Sequence, residues 1–114
     1  MEIQAAITEN EGAPFRIETV ELEEPQANEV LVRVVGAGVC HTDMIVRDQM
    51  YPTPLPAVLG HEGSGVVEGV GANVTAVEPG DRVVLTFDSD QDCTSCNAGH
   101  PAYCEDFFAH NFGG

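Results

Sequence analysis

The chain has 114 residues, 43 % of them hydrophobic, which allows one hydrophobic core and argues against disorder. Nineteen acidic residues face four basic ones, Arg16, Arg33, Arg47 and Arg82, for a formal charge of −15. Such a surface repels nucleic acid phosphates and anionic lipid, and a chain without lysine forms neither a P-loop nor a Schiff base.

From Met1 to Asn10 there is no basic region and no apolar run, so no signal peptide is expected. Ile3, Ala5 and Ile7 alternate with polar neighbours and predict a short strand. After the Glu11–Pro14 turn, Phe15 to Leu22 alternates again, and a turn over Pro25–Glu29 leads into the clearest strand, Val30 to Val35. Thr42 is placed to cap a short helix through Arg47, with Asp43 favourable against its dipole. Tyr51 to Leu55 carries Pro52 and Pro54, and with Pro56 following it should run extended.

Gly63 to Val70 predicts a glycine-dotted strand, Gly71–Asn73 a turn, Val74 to Glu78 another alternating stretch, and Arg82 to Phe87 a buried strand. Short strands between Gly/Pro turns predict a compact, mostly β barrel or sandwich. From Asp88 to Cys104 the chain is polar, turn-rich and carries three of the four cysteines, a lobe with little to pack that calls for a metal staple. No stretch approaches the ~18 apolar residues of a membrane span. A cytoplasmic, reducing compartment is therefore expected, with the cysteines as metal ligands or reactive thiols rather than disulfides.

Cys93 and Cys96, two residues apart, can grip one zinc through a tight turn, with Cys104 as a third thiolate. Asp90, Asp92 and His100 are the local candidates for a fourth ligand, and three free or buried thiols are the plain alternative. Upstream, Gly38-Val39-Cys40-His41-Thr42-Asp43 and then Gly60-His61-Glu62-Gly63 offer a thiolate, an imidazole and a carboxylate, a set that suits an open catalytic zinc. A packed cysteine and a hydrogen-bonded core histidine explain the same residues blandly. Other chemistry fits worse. Cys40 and His41 would face opposite sides of a strand, Glu62 sits where a nucleophile elbow needs glycine, and Val74 where a dinucleotide fingerprint needs one.

Taken together and in this order, Gly38–Asp43, Gly60–Val67, Pro79–Val84 and the cysteine lobe resemble the zinc-containing medium-chain alcohol dehydrogenases over essentially the whole chain. His100–Cys104 with Phe107, Phe108, Asn111 and Phe112 looks most like the aryl- and benzyl-alcohol branch. The resemblance implies a GroES-like, partly open β-barrel with short helices over residues 1–114, an incomplete catalytic domain with the cysteine lobe at 88–105 and no Rossmann domain. It implies Cys40 and His61 as catalytic-zinc ligands and Glu62 as a carboxylate that approaches or exchanges at the metal. By the same resemblance Thr42 starts a proton relay, Asp43 orients the ligand histidine, and His41 contacts the cofactor pyrophosphate. Cys93, Cys96 and Cys104 match structural-zinc ligands. Asp90 stands where the family has the first structural cysteine, and Ile45 where it often has a relay histidine.

The implied function is NAD- or NADP-linked oxidation of a primary alcohol, an aromatic one by the branch resemblance, to its aldehyde, the nucleotide being held by a domain outside these residues. Tyr51 and Phe87 are candidates for an apolar pocket or for ordinary core. Two readings compete: a non-catalytic zinc-binding or assembly module of the same fold, and a metal-free or formaldehyde-type reductase. The domain face that would meet a cofactor domain is a candidate surface for a homo-oligomer.

Overall fold

The computed structural model describes residues 1–113; Gly114, the last residue of the expected domain, lies outside the described residues. In chain order the elements are β1 (Glu2–Thr8), β2 (Arg16–Glu21), β3 (Val30–Ala37), α1 (His41–Arg47), β4 (Ala57–Val58), β5 (Gly63–Val70), β6 (Arg82–Val84), α2 (Thr94–Asn97), a single 3-10 turn (Pro101–Tyr103) and α3 (Phe107–Phe112). The fold is mostly β, in two open three-stranded sheets ordered β2-β1-β4 and β3-β5-β6. No helix among the described residues is long and apolar enough to cross a membrane.

The alternating N-terminal stretches pair as an antiparallel hairpin, from Glu2 opposite Glu21 to Ile7 opposite Arg16. Alternation places Ala5 and Thr8 on opposite faces of β1, and both are buried, Thr8 at the end of the strand. The other edge of β1 receives β4, so the proline-rich segment closes onto the first sheet through Ile7–Val58 and Thr8–Ala57.

The second sheet rests on β5, whose glycines are spatial requirements. A Cβ at Gly65 would fall 2.4 Å from the Arg33 carbonyl oxygen, so β3 can lie this close only to a residue without a side chain. Register shifts at Leu31/Val32 and Val34/Gly36 bend β3 over β5. The Gly71 turn is equally tight: its Cβ would meet the Gln26 carbonyl at 2.0 Å, and the Gly71 and Asn73 amides donate to the Glu29 and Ala27 carbonyls at 2.8 Å each.

Three expectations need correction. Val74 to Glu78 forms no strand, because its neighbours on either side are turns and nothing pairs with it. The strand expected over Arg82–Phe87 stops at Val84, and it is not buried: Val84 is 80 % exposed at an unpartnered sheet edge. The helix cap lies at Cys40, two residues before Thr42, so Thr42 is the second helical residue.

The apolar side chains that are buried are few, Ala5, Val46, Val67 and Cys104. The radius of gyration, 15.0 Å, exceeds the ~13 Å expected of a compact domain near this size, as open sheets require. Val34, Val35, Val39 and Val84 lie exposed together with the second sheet and its following loop.

Candidate functional site

The chain leaves β3 at Ala37 and passes directly beside the segment that enters β5. The Gly38 amide donates to the Glu62 carbonyl at 2.7 Å. A Cβ at Gly38 would come within 2.2 Å of a Glu62 carboxylate oxygen, so the glycine makes the space in which that side chain lies. This crossing brings position 40 to positions 61 and 62 although twenty residues separate them.

Cys40 then caps α1 from an extended conformation (φ −99°, ψ 157°). Asp43, in the first turn, accepts a hydrogen bond from the Cys40 amide at 2.8 Å, which satisfies one of the donors that a helix start leaves open. Asp43 is buried, and its Oδ1 lies 3.7 Å from His61 Nδ1, while His61 Nε2 lies 3.9 Å from Glu62 Oε1. The Thr42 hydroxyl lies 3.5 Å from Cys40 Sγ.

One ligand atom each from Cys40, His61 and Glu62 falls within 4.8 Å of the others. Two ligands of one zinc stand at most about 4.4 Å apart, so these side chains need only small adjustments to share an ion. Cys40 and His41 are not on a strand at all: His41 opens α1 and is exposed, outside this cluster.

The lobe gathers a second set. Asp90, Cys93, Cys96 and Cys104 bring four donor atoms within 4.8 Å of one another. Cys93 caps α2, Cys96 lies within that turn, and buried Cys104 follows the 3-10 turn. Asp92 and His100, the other fourth-ligand candidates, are not in the set; His100 stands edge-on to Tyr103, with ring centroids 6.5 Å apart. Asp90 Oδ1 accepts from the Cys93 and Asp92 amides at 3.0 and 2.9 Å, and these bonds hold its carboxyl well below the usual carboxylate range.

Backbone amides of Glu105 and Cys96 lower the Cys93 thiol, whereas burial, then the hydrogen bond with Asp90, pushes Cys96 up to about 12. A carboxylate and three thiols aimed at one point resist joint ionisation, and a divalent cation relieves that conflict. The donor chemistry therefore fits a metal at both places: three soft donors and an oxygen in the lobe, one soft donor with a nitrogen and an oxygen at Cys40.

Beside the Cys40 cluster opens a cavity of about 630 Å³. Thr42, Asp43 and His61 line it, as do Phe87, Phe107 and His110. Phe87 and Phe107 pack tilted against each other, with centroids 5.4 Å apart and planes at 54°. Tyr51, the other aromatic candidate, does not line this cavity; its ring packs on Phe112 and Phe108 at 5.6 and 6.2 Å. The contribution of α3 had no strong sequence signal beyond its phenylalanines, because six residues are too few to show a helical period.

The alcohol dehydrogenase GroES-like domain family matches residues 26–114. A geraniol dehydrogenase from Castellaniella defragrans is 51 % identical over 111 residues, 97 % of this chain and 30 % of that protein. The benzyl alcohol dehydrogenase structure from Acinetobacter calcoaceticus superposes with a TM-score of 0.97 at 55 % identity, covering 100 % of this chain and 32 % of that one. An alcohol dehydrogenase zinc-binding domain protein from Burkholderia ambifaria gives a TM-score of 0.96 at 58 % identity, over 98 % of this chain and 30 % of that one. The chain thus spans about 30 % of the length of the first of these relatives.

Proposed function

This chain belongs to the alcohol dehydrogenase GroES-like domain family, and on that premise we propose that it is the N-terminal catalytic part of a zinc-dependent enzyme oxidising a primary, aromatic-type alcohol to its aldehyde with NAD or NADP. The observation that carries this reading is the convergence of Cys40, His61 and Glu62 within 4.8 Å beside a cavity with aromatic walls. The names of the relatives, a geraniol and a benzyl alcohol dehydrogenase, support an alcohol with an unsaturated or aromatic body.

In this reading Cys40 and His61 hold a catalytic zinc, with Glu62 as a carboxylate able to approach or exchange. A zinc ion bound there supplies Lewis acidity toward an alcohol oxygen. Asp43 fixes the His61 ring, since its buried carboxylate faces Nδ1 and leaves Nε2 for coordination. The Thr42 hydroxyl, next to the Cys40 sulfur, would accept the alcohol proton while releasing its own toward solvent. Phe87 and Phe107 cover the apolar part of the substrate and keep water from it. His41, exposed at the start of α1, is assigned to the pyrophosphate of a nucleotide carried by another domain of the whole enzyme. Ile45, on the same helix, has no proton to pass on.

Asp90, Cys93, Cys96 and Cys104 are assigned to a structural zinc. The exposed valines of the second sheet are assigned to contacts with the rest of the enzyme or with a second copy. The acidic surface supports a protein that binds neither nucleic acid nor anionic membrane. One observation favours the second reading, a zinc-binding module without catalysis: the lobe supplies four donors by itself, the Cys40 cluster three.

The deciding experiment joins this domain to its nucleotide-binding domain and follows reduction of NAD or NADP with benzyl alcohol. Turnover should appear and should fall by at least ~100-fold in C40S and in H61A, consistent with removal of a metal ligand. Undiminished turnover in C40S, with the fold intact, refutes the catalytic assignment.

A further inference from the structure

We propose that His110, oriented by Asp88, is a hydrogen-bonding station at the rim of the cavity that favours alcohols carrying a second hydroxyl group. The inference rests on reading the cavity as the alcohol site and adds a substrate class to it.

His110 Nδ1 lies 2.9 Å from Asp88 Oδ2. An ionised carboxylate can only accept, so a neutral imidazole in this pair carries its proton on Nδ1 and leaves a lone pair on Nε2. Among the described residues Nε2 has no hydrogen-bond partner, and His110 is one of the cavity-lining residues together with Thr42 and His61.

The orientation of Asp88 is itself secured. Its Oδ1 accepts from the Ser89 amide at 2.8 Å, its own amide donates to Asn111 Oδ1 at 2.9 Å, and Asn111 Nδ2 donates back to the Asp88 carbonyl at 2.9 Å. The same Nδ2 donates to the Phe107 carbonyl at 2.8 Å, so α3 and the chain after β6 are tied together where His110 leaves the helix.

The side chains are 34 % and 65 % exposed, which puts the pair at the open side of the cavity rather than in its depth. The apolar lining of the cavity includes Phe87, Phe107 and Phe112. At about 630 Å³ the cavity falls within the roughly 300–1,000 Å³ of sites that take drug-sized ligands, so a primary alcohol leaves room for a substituent. A donor on that substituent meets the Nε2 lone pair; an acceptor there meets only another lone pair.

The test uses the whole enzyme, this domain joined to its nucleotide-binding domain and loaded with zinc, labelled with 15N in its histidine rings, at about pH 8.5, where a phenol of ordinary pKa ~10 keeps its proton. Benzyl alcohol, 4-hydroxybenzyl alcohol and 4-methoxybenzyl alcohol are titrated separately, with H110F assigning the His110 resonances. The 4-hydroxy compound should bind roughly threefold more tightly than the other two and should alone shift Nε2, the gain of one partly exposed hydrogen bond. In H110F that preference should disappear.

D88N keeps the main-chain bonds of position 88 but can donate to Nδ1, turning the Nε2 proton outward; the 4-methoxy compound should then gain over benzyl alcohol and draw level with the 4-hydroxy compound, whose oxygen also accepts. If all three alcohols perturb the Phe87 and Phe107 rings with equal affinity while Nε2 stays unmoved, the station is refuted and the cavity reading stands. If none perturbs those rings, the cavity is not the alcohol site and both readings fall.

Discussion

Asp43 Oδ1 lies 3.7 Å from His61 Nδ1, and the same carboxyl group accepts the Cys40 amide through Oδ2 at 2.8 Å. One buried side chain thus joins the start of α1 to the histidine on the far side of the crossing. It links the folding of the helix to the geometry of the candidate metal cluster.

Replacing that link should therefore have two separable effects. D43A removes the acceptor for the Cys40 amide and should destabilise the chain by about 1 kcal/mol, the typical worth of a helix-capping bond. D43N retains a carbonyl acceptor for that amide and should lose less. In the whole enzyme both variants should weaken catalytic-zinc affinity roughly 10- to 100-fold, because an unsupported ligand histidine can turn. Urea denaturation and competitive zinc titration measure the two effects independently.

Metal analysis of the 114-residue chain should find about one zinc, held by the lobe, since only that set offers four donors. C96S should abolish it and C40S should retain it. A tightly held ion that disappears in C40S would contradict this assignment.

The hydrogen bonds of Asp90 predict an acid limit for the metal-free lobe. Folding lowers the Asp90 pKa, so its stabilising contribution is complete above the ordinary value of 3.8 and is lost as pH falls from there toward the lower folded value. Amide exchange at Asp92 and Cys93 should accelerate below about pH 4 relative to amides of β1, and D90A should show the faster exchange at neutral pH.

Two glycines should respond differently to alanine. G65A forces a Cβ to within 2.4 Å of the Arg33 carbonyl and 2.6 Å of Val32 Cγ1, and should cost roughly 1–3 kcal/mol as β3 and β5 move apart. G38A meets chiefly the carboxylate of Glu62, a flexible end, at 2.2 Å. It should leave stability within about 0.5 kcal/mol of the parent and displace Glu62 from Cys40 and His61. Urea midpoints compare the stabilities, and cobalt(II) absorption at the catalytic cluster in the whole enzyme reports the second effect.

Much of this architecture was legible along the chain. Alternation announced β1 and β2, the Pro25–Glu29 turn led into β3, and glycine spacing announced β5, because side chains in a strand alternate faces and a close neighbour excludes a Cβ. Cys93 and Cys96 declared a metal-type lobe by their spacing alone. Alternation misled at Val74–Glu78, where no strand lies alongside to pair with it, and the buried strand expected over Arg82–Phe87 ends at Val84, on an exposed sheet edge.

The residue types capable of chemistry, and their segregation into Cys40, His61, Glu62 and the lobe, were determined by the sequence itself. Their meeting was not, because proximity between positions 40 and 61 depends on how β3 and β5 pair and on the Gly38–Glu62 crossing. Spacing left Asp90, Asp92 and His100 open and the family resemblance pointed to Asp90; the folded loop brings it among the thiols, with two backbone amides aiming its carboxylate inward. The cavity, and with it the pairing of His110 and Asp88, exists only because α3 folds back against the chain after β6; sequence separation carries no record of such a long-range contact.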